Sequence, residues 1–151
     1  MMNRGSLFVG SVFLAMWTVV GCRDKGHGEM NRMIDAAGES LDSLSKELEL
    51  SFPSSARLVG SERLNGNDTV RLKVEMSAED LPAFLAHAPV ESEAFASGSG
   101  GYLGRDHGFW DPQIAQKLRT GQTFVHARAL SIGVAEGQGG VAVLYIVNQG
   151  M

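Results

Sequence analysis

Val141 to Val147 reads VAVLYIV, seven residues apolar on both faces. A strand with one wet face alternates apolar and polar residues; a run apolar throughout is that of a central strand, flanked by other strands. The chain is therefore expected to build a sheet around this segment. Gly137-Gln138-Gly139-Gly140 supplies a turn just before it. Upstream of that turn, Phe124, His126, Arg128, Leu130, Ile132 and Val134 share one face if Thr123–Val134 is a single unbroken strand. The C-terminal part thus reads as one long hairpin.

A second hairpin precedes it. Ala56–Leu64 and Thr69–Met76 flank Asn65-Gly66-Asn67-Asp68, and Asn-Gly is a strong hairpin signal. In its second arm Val70, Leu72, Val74 and Met76 alternate with Arg71, Lys73 and Glu75, which predicts one buried face and one wet face. Three helices are expected around these strands. Over Met30–Leu50, Met30, Met33, Ile34, Ala37, Leu41, Leu44 and Leu48 recur at helical spacing, until Phe52-Pro53 ends the pattern. Ser77 is read as the N-cap of a helix running to Pro89, with acids in its first turn and Pro82 near its start. Asp111-Pro112 opens a short helix to about Arg119. The fold class is α+β: a small antiparallel sheet built from two hairpins, with helices packed on one face.

The N-terminus is organised differently. Met1–Ser6 carries one charge, Arg4; Leu7–Val20 is an uncharged run of 14 residues; Arg23, Asp24 and Lys25 follow at once. Secretory signals have an apolar core of about 7–15 residues, and a bilayer-spanning helix needs about 20. The run ends in Val19-Val20-Gly21-Cys22 and resembles the signal of bacterial lipoproteins, with cleavage after Gly21 and lipidation at Cys22. That resemblance covers Met1–Cys22 and implies a cleaved signal peptide (1–21), a short flexible tether (22–29) and a single domain (30–151). It also implies anchoring to a membrane through acyl chains such as palmitate on Cys22. Arg23 in place of Asp implies the periplasmic face of the outer membrane in a Gram-negative cell. Cys22 is the chain's one cysteine, so the domain is expected to hold no disulfide.

Loss of residues 1–21 leaves 130 residues with 12 cations in place of 13 against 17 acids, a net charge of −5. An acidic domain without a run of Lys or Arg does not favour nucleic acid. No cofactor is implied. Gly98-Ser99-Gly100-Gly101 lacks the preceding strand of a dinucleotide loop and the Lys of a phosphate loop. His27, His87, His107 and His126 lack the clustered spacing of a metal site. No Gly-x-Ser-x-Gly elbow surrounds Ser97 or Ser99, so no catalytic residue is assigned.

The segment 91–108 is the least regular, and a loop of that length is functional or mobile. Tyr102, Arg105, His107, Phe109 and Trp110 put aromatic, Arg and His side chains in or beside it, the composition of an interaction site. The competing structural role is for Phe109 and Trp110 to plug the core. The chain is thus expected to be a non-enzymatic, membrane-tethered accessory module that binds an envelope protein. Two alternatives are an envelope hydrolase using Asp106 and His107, and a small-ligand sensor with a pocket beneath residues 98–108.

Overall fold

The computed structural model describes residues 34–35, 39–91, 94–97 and 103–151. The signal and tether, Cys22, Tyr102 and the Gly98–Gly101 cluster lie outside the described residues, as does much of the Met30–Ser40 helical pattern.

Among the described residues, seven strands form one antiparallel sheet. They are β1 (Ile34–Asp35), β2 (Arg57–Leu64), β3 (Thr69–Ser77), β4 (Ala96–Ser97), β5 (Arg119–Val125), β6 (Arg128–Glu136) and β7 (Val141–Gly150). The spatial order is β1-β2-β3-β7-β6-β5-β4. The doubly apolar segment is central, as expected: β7 lies between β3 and β6 and pairs with nine residues of each. The Asn65-Gly66 turn also forms, both residues at positive φ, and it sets the pairing Leu64↔Thr69.

Two helices, α1 (Leu41–Leu48) and α2 (Leu81–His87), pack on one face. Leu44, Leu48 and Phe84 meet Val70, Leu72 and Val74 of β3, Leu130 and Ile132 of β6, and Leu144 and Ile146 of β7. Burying each such side chain contributes about 1.5–3 kcal/mol. This face is the main core, and it realises the α+β expectation of helices on one side.

Several sequence expectations are corrected. The helix expected over Met30–Leu50 forms only over Leu41–Leu48, and Ile34–Asp35 pairs as a strand with Glu62 and Arg63. Ser40 caps the helix by accepting from the Ser43 N–H, and Glu49 ends it in the left-handed conformation before Pro53 is reached. Ser77 closes β3 and does not cap a helix; α2 begins at Leu81 behind Asp80, with Pro82 in its first turn. No helix forms over Asp111–Leu118, because the Asp111 carboxylate is bonded to Lys73 and Tyr145 and Lys117 takes a positive φ.

The strand expected over Thr123–Val134 is in fact a hairpin. His126 and Ala127, at φ 49° and 61°, form a two-residue turn between β5 and β6. The sheet therefore contains three tight hairpins, and His126 sits exposed at a tip instead of on a strand face.

Candidate functional site

The opposite face of the sheet was expected to be wet at Arg71, Lys73 and Glu75. It is instead covered by residues 103–118, a strap without regular structure that lies across β2, β3, β7 and β6. Leu103 and Trp110 are fully buried beneath it, against Tyr145 and Val147 of β7 and Ala135 of β6. The strap can lie this low because two strand glycines leave room. A Cβ on Gly60 would fall 2.6 Å from the Phe109 ring, and one on Gly133 would fall 2.5 Å from Leu103 Cδ1.

Trp110 organises the strap. Its Nε1 donates to the Leu103 carbonyl at 3.0 Å, and its ring meets Tyr145 edge-on at 5.4 Å between centroids. The Arg71 guanidinium lies 5.6 Å from the Trp110 ring centre on another side, a cation–π contact. Backbone bonds in both directions between His107 and Trp110 close a tight turn, with Gly108 at positive φ.

Two charged clusters flank this indole. In the first, the Glu62 carboxylate, only 4 % exposed, accepts from Arg71 Nη1 at 3.1 Å and from His107 Nε2 at 2.8 Å. In the second, the Asp111 carboxylate accepts from Lys73 Nζ at 2.5 Å and from the Tyr145 hydroxyl at 2.7 Å. Burial pushes the Asp111 carboxyl up, but the bonds from Lys73 and Tyr145 outweigh it and hold the group below the usual carboxylate range. Burial, then the bond to Asp111, pushes the Tyr145 phenol well above its ordinary value. Each carboxylate, Glu62 buried and Asp111 part-exposed, is thus bonded to a cation and a second donor and is satisfied. Their chemistry is that of a clamp holding the strap to the sheet.

The structure separates the residues that the sequence grouped as one interaction site. Trp110 is core, and Phe109 is half-buried over Gly60. His107 is turned inward to Glu62, while Arg105 is exposed. Asp106 accepts from the Gln113 backbone N–H at 2.8 Å. Its neighbour His107 presents Nδ1 to the Arg105 carbonyl and Nε2 to Glu62, so each residue of the proposed acid–base pair has its own separate partners. His87 Nδ1 lies 2.8 Å from the Ala83 carbonyl one turn back on its own helix, and His126 lies 3.5 Å from Glu49. Among the described residues no cluster of His, Cys, Asp and Glu could hold a metal ion, and no helix is long and apolar enough to cross a membrane.

Sequence reasoning missed Glu62, Lys73 and Tyr145, the sheet half of the clamp. It also missed an open cleft of about 550 Å³ at one end of the sheet. Leu81, Val134, Ala135 and Ala142 give this cleft apolar walls, and Ser97, Lys117, Arg119 and Glu136 give it polar ones. Lys117 pairs with Glu136 at 2.7 Å. Leu103 and Trp110 fill the space between the strap and the sheet, and the cleft is lined by Lys117 and Leu118 at the strap's end and not by residues 103–108.

Compared with protein families, with curated proteins and with solved structures, the chain matches none.

Proposed function

We propose that this chain is a lipid-anchored module of the bacterial cell envelope that acts by binding another envelope protein and not by catalysis. The observation that carries this reading is the 14-residue apolar run ending in Val19-Val20-Gly21-Cys22, followed directly by Arg23, Asp24 and Lys25. Acyl chains on Cys22 contribute about 0.8 kcal/mol per buried CH₂, and two chains anchor stably. Tethering then concentrates the domain at one membrane surface, where a modest intrinsic affinity suffices. The bonding of the strap supports the non-catalytic half of the reading: Glu62, Asp111, Lys73 and His107 bond one another instead of assembling a nucleophile with a base. Arg105 and the 75 % exposed Ile114 are among the strap's outward side chains, and they are the cation and the large apolar group it offers a partner at its centre.

The test is mass spectrometry and affinity recovery of the full chain from membranes, beside Cys22→Ser. Acylated Cys22 and one envelope protein recovered with the wild type, but lost with Arg105→Glu/Ile114→Asp, is the expected result. An unmodified Cys22 in a chain that fractionates as free protein overturns the reading. The 550 Å³ cleft favours a second reading, a small-ligand sensor, for which a ligand would raise the melting temperature and Arg119→Ala would remove that rise.

A further inference from the structure

The two edges of the sheet are protected unequally. At one edge β2 carries exposed Arg57, a register shift between Leu58 and Gly60, and β1 laid against Glu62 and Arg63. At the other edge β4 covers only Arg119 and Thr120 of β5. β4 is antiparallel to β5, with Ala96 facing Thr120 and Ser97 facing Arg119, and Phe95 just before it lies against Gly121. Among the described residues, no strand pairs with Gln122–Val125 on the outer side. Sheet edges are usually blunted by charge, proline or a bulge. Gly121-Gln122-Thr123-Phe124-Val125 has no charge and no proline, its pairing with β6 has no register shift, and Phe124 is 64 % exposed.

The register also fixes which backbone groups face outward. The turn at His126-Ala127 closes on Val125↔Arg128, and the closing pair of a two-residue hairpin is hydrogen-bonded. Hydrogen-bonded and non-bonded positions alternate along an antiparallel pair. The N–H and C=O of Thr123 and Val125 therefore point to β6, and those of Gln122 and Phe124 point away from the sheet.

We propose that this edge pairs with the same edge of a second copy of the chain, antiparallel about a two-fold axis through Thr123. Gln122 of each copy then faces Phe124 of the other, and each of these two pairs exchanges both N–H···O=C bonds. Thr123 faces Thr123 of the second copy as the non-bonded pair between them, with Cα atoms about 4.5 Å apart. The alternation required of an antiparallel ladder is met without any shift of β5 against β6. A copy of this segment suits the edge because no like charges oppose across the axis, and Thr–Thr is a favourable cross-strand pair. Such an isologous contact closes on itself, so it gives a dimer and no filament. The inference goes beyond the lipoprotein reading and does not depend on it.

The experiment uses the full chain in detergent micelles, with sedimentation for mass and diamide oxidation of Thr123→Cys for geometry. A Cα separation of about 4.5 Å lies within the range a disulfide spans. The expected results are twice the chain mass for the wild type and a reducible cross-linked dimer for Thr123→Cys. With Cys22→Ser in every cross-linking sample, no such cross-link should form without Thr123→Cys or for an Asp42→Cys control on α1. Phe124→Pro removes an outward N–H that β6 does not use, and should weaken the dimer at least about tenfold. If Phe124→Pro alters the circular dichroism melt, Phe124→Lys serves as the second disruptive variant, with the backbone left intact. One chain mass at every concentration overturns the proposal. So does a dimer that Thr123→Cys fails to cross-link or that withstands both Phe124 variants, and so does cross-linking of Thr123→Cys to a different protein.

Discussion

Trp110→Ala is expected to lower stability by about 3–5 kcal/mol, as truncation of a fully buried aromatic does. The indole fills the space under the strap, bonds the Leu103 carbonyl and seats the Arg71 guanidinium. Arg105→Ala, on the exposed side of the same strap, should change stability by no more than about 0.5 kcal/mol. Urea titration of both variants checks the contrast. Asp111 gives a pH-dependent prediction. Its carboxyl titrates lower in the folded chain than in the unfolded one, so its stabilising effect is present above about pH 4 and is lost as pH falls through the folded value. The margin of wild type over Asp111→Asn in urea melts should therefore be full at pH 7 and shrink by pH 3. Tyr145 works in the opposite sense: its raised value favours the fold at neutral pH, and that contribution declines above about pH 10. At this scale the sequence was half legible. Val70, Leu72, Val74 and Met76 read correctly as core. Arg71 and Lys73 read as solvated, because a charged residue in an alternating strand does not reveal that acids 9 residues before it and 38 after it will cover it. The available signal was glycine inside a strand, at Gly60 and Gly133, which marks a close approach of other chain segments.

Among the elements, the β5–β6 turn departs furthest from what its residues prefer. Two-residue hairpin turns of this hand favour Asn-Gly, because both positions need positive φ. Here they are His126 and Ala127. An L-residue in that conformation costs about 1–2 kcal/mol, so Ala127→Gly should stabilise the fold by up to about 1 kcal/mol once glycine's greater chain entropy is subtracted. A rise in melting temperature checks it, and a fall would mean that the Ala127 methyl makes a contact worth more than the strain. The same residues explain why the turn was not legible. Thr123–Val134 holds no Pro, Asn or Asp, its one glycine is Gly133 inside β6, and the alternation Val125, Ala127, Ala129 runs through the turn unbroken. The Asn65-Gly66 turn was legible because its residues state their conformation. The missing helix at Asp111 has a different cause. A capping carboxylate serves the local backbone only if no stronger donor reaches it, and Lys73 and Tyr145 both do.

Across the whole molecule, the sheet is two sequence-local halves joined by one strand. β1-β2-β3 lies on one side of β7 and β6-β5-β4 on the other. The α+β class was legible from the two turns and the doubly apolar VAVLYIV segment. The strand order was not, because nothing local in Thr69–Ser77 indicates that its partner is Val141–Gly150. Deleting residues 141–151 should leave neither half folded, seen as loss of the cooperative melt, because each half would expose an apolar edge and lose the residues that carry both cores.

The position of β7 in the chain also bears on how the protein is made. Of the strands described, the central one is the last to be synthesised, and several seconds of synthesis at about 5–20 residues per second separate it from β3, its first neighbour. During that interval the nascent chain has the β2–β3 hairpin, and at its end the β5–β6 hairpin, but no centre on which to close them, and pairing across so long a separation is slow in any case. A polypeptide in that condition is still a thread. The full width of the sheet is reached only when β7 has emerged.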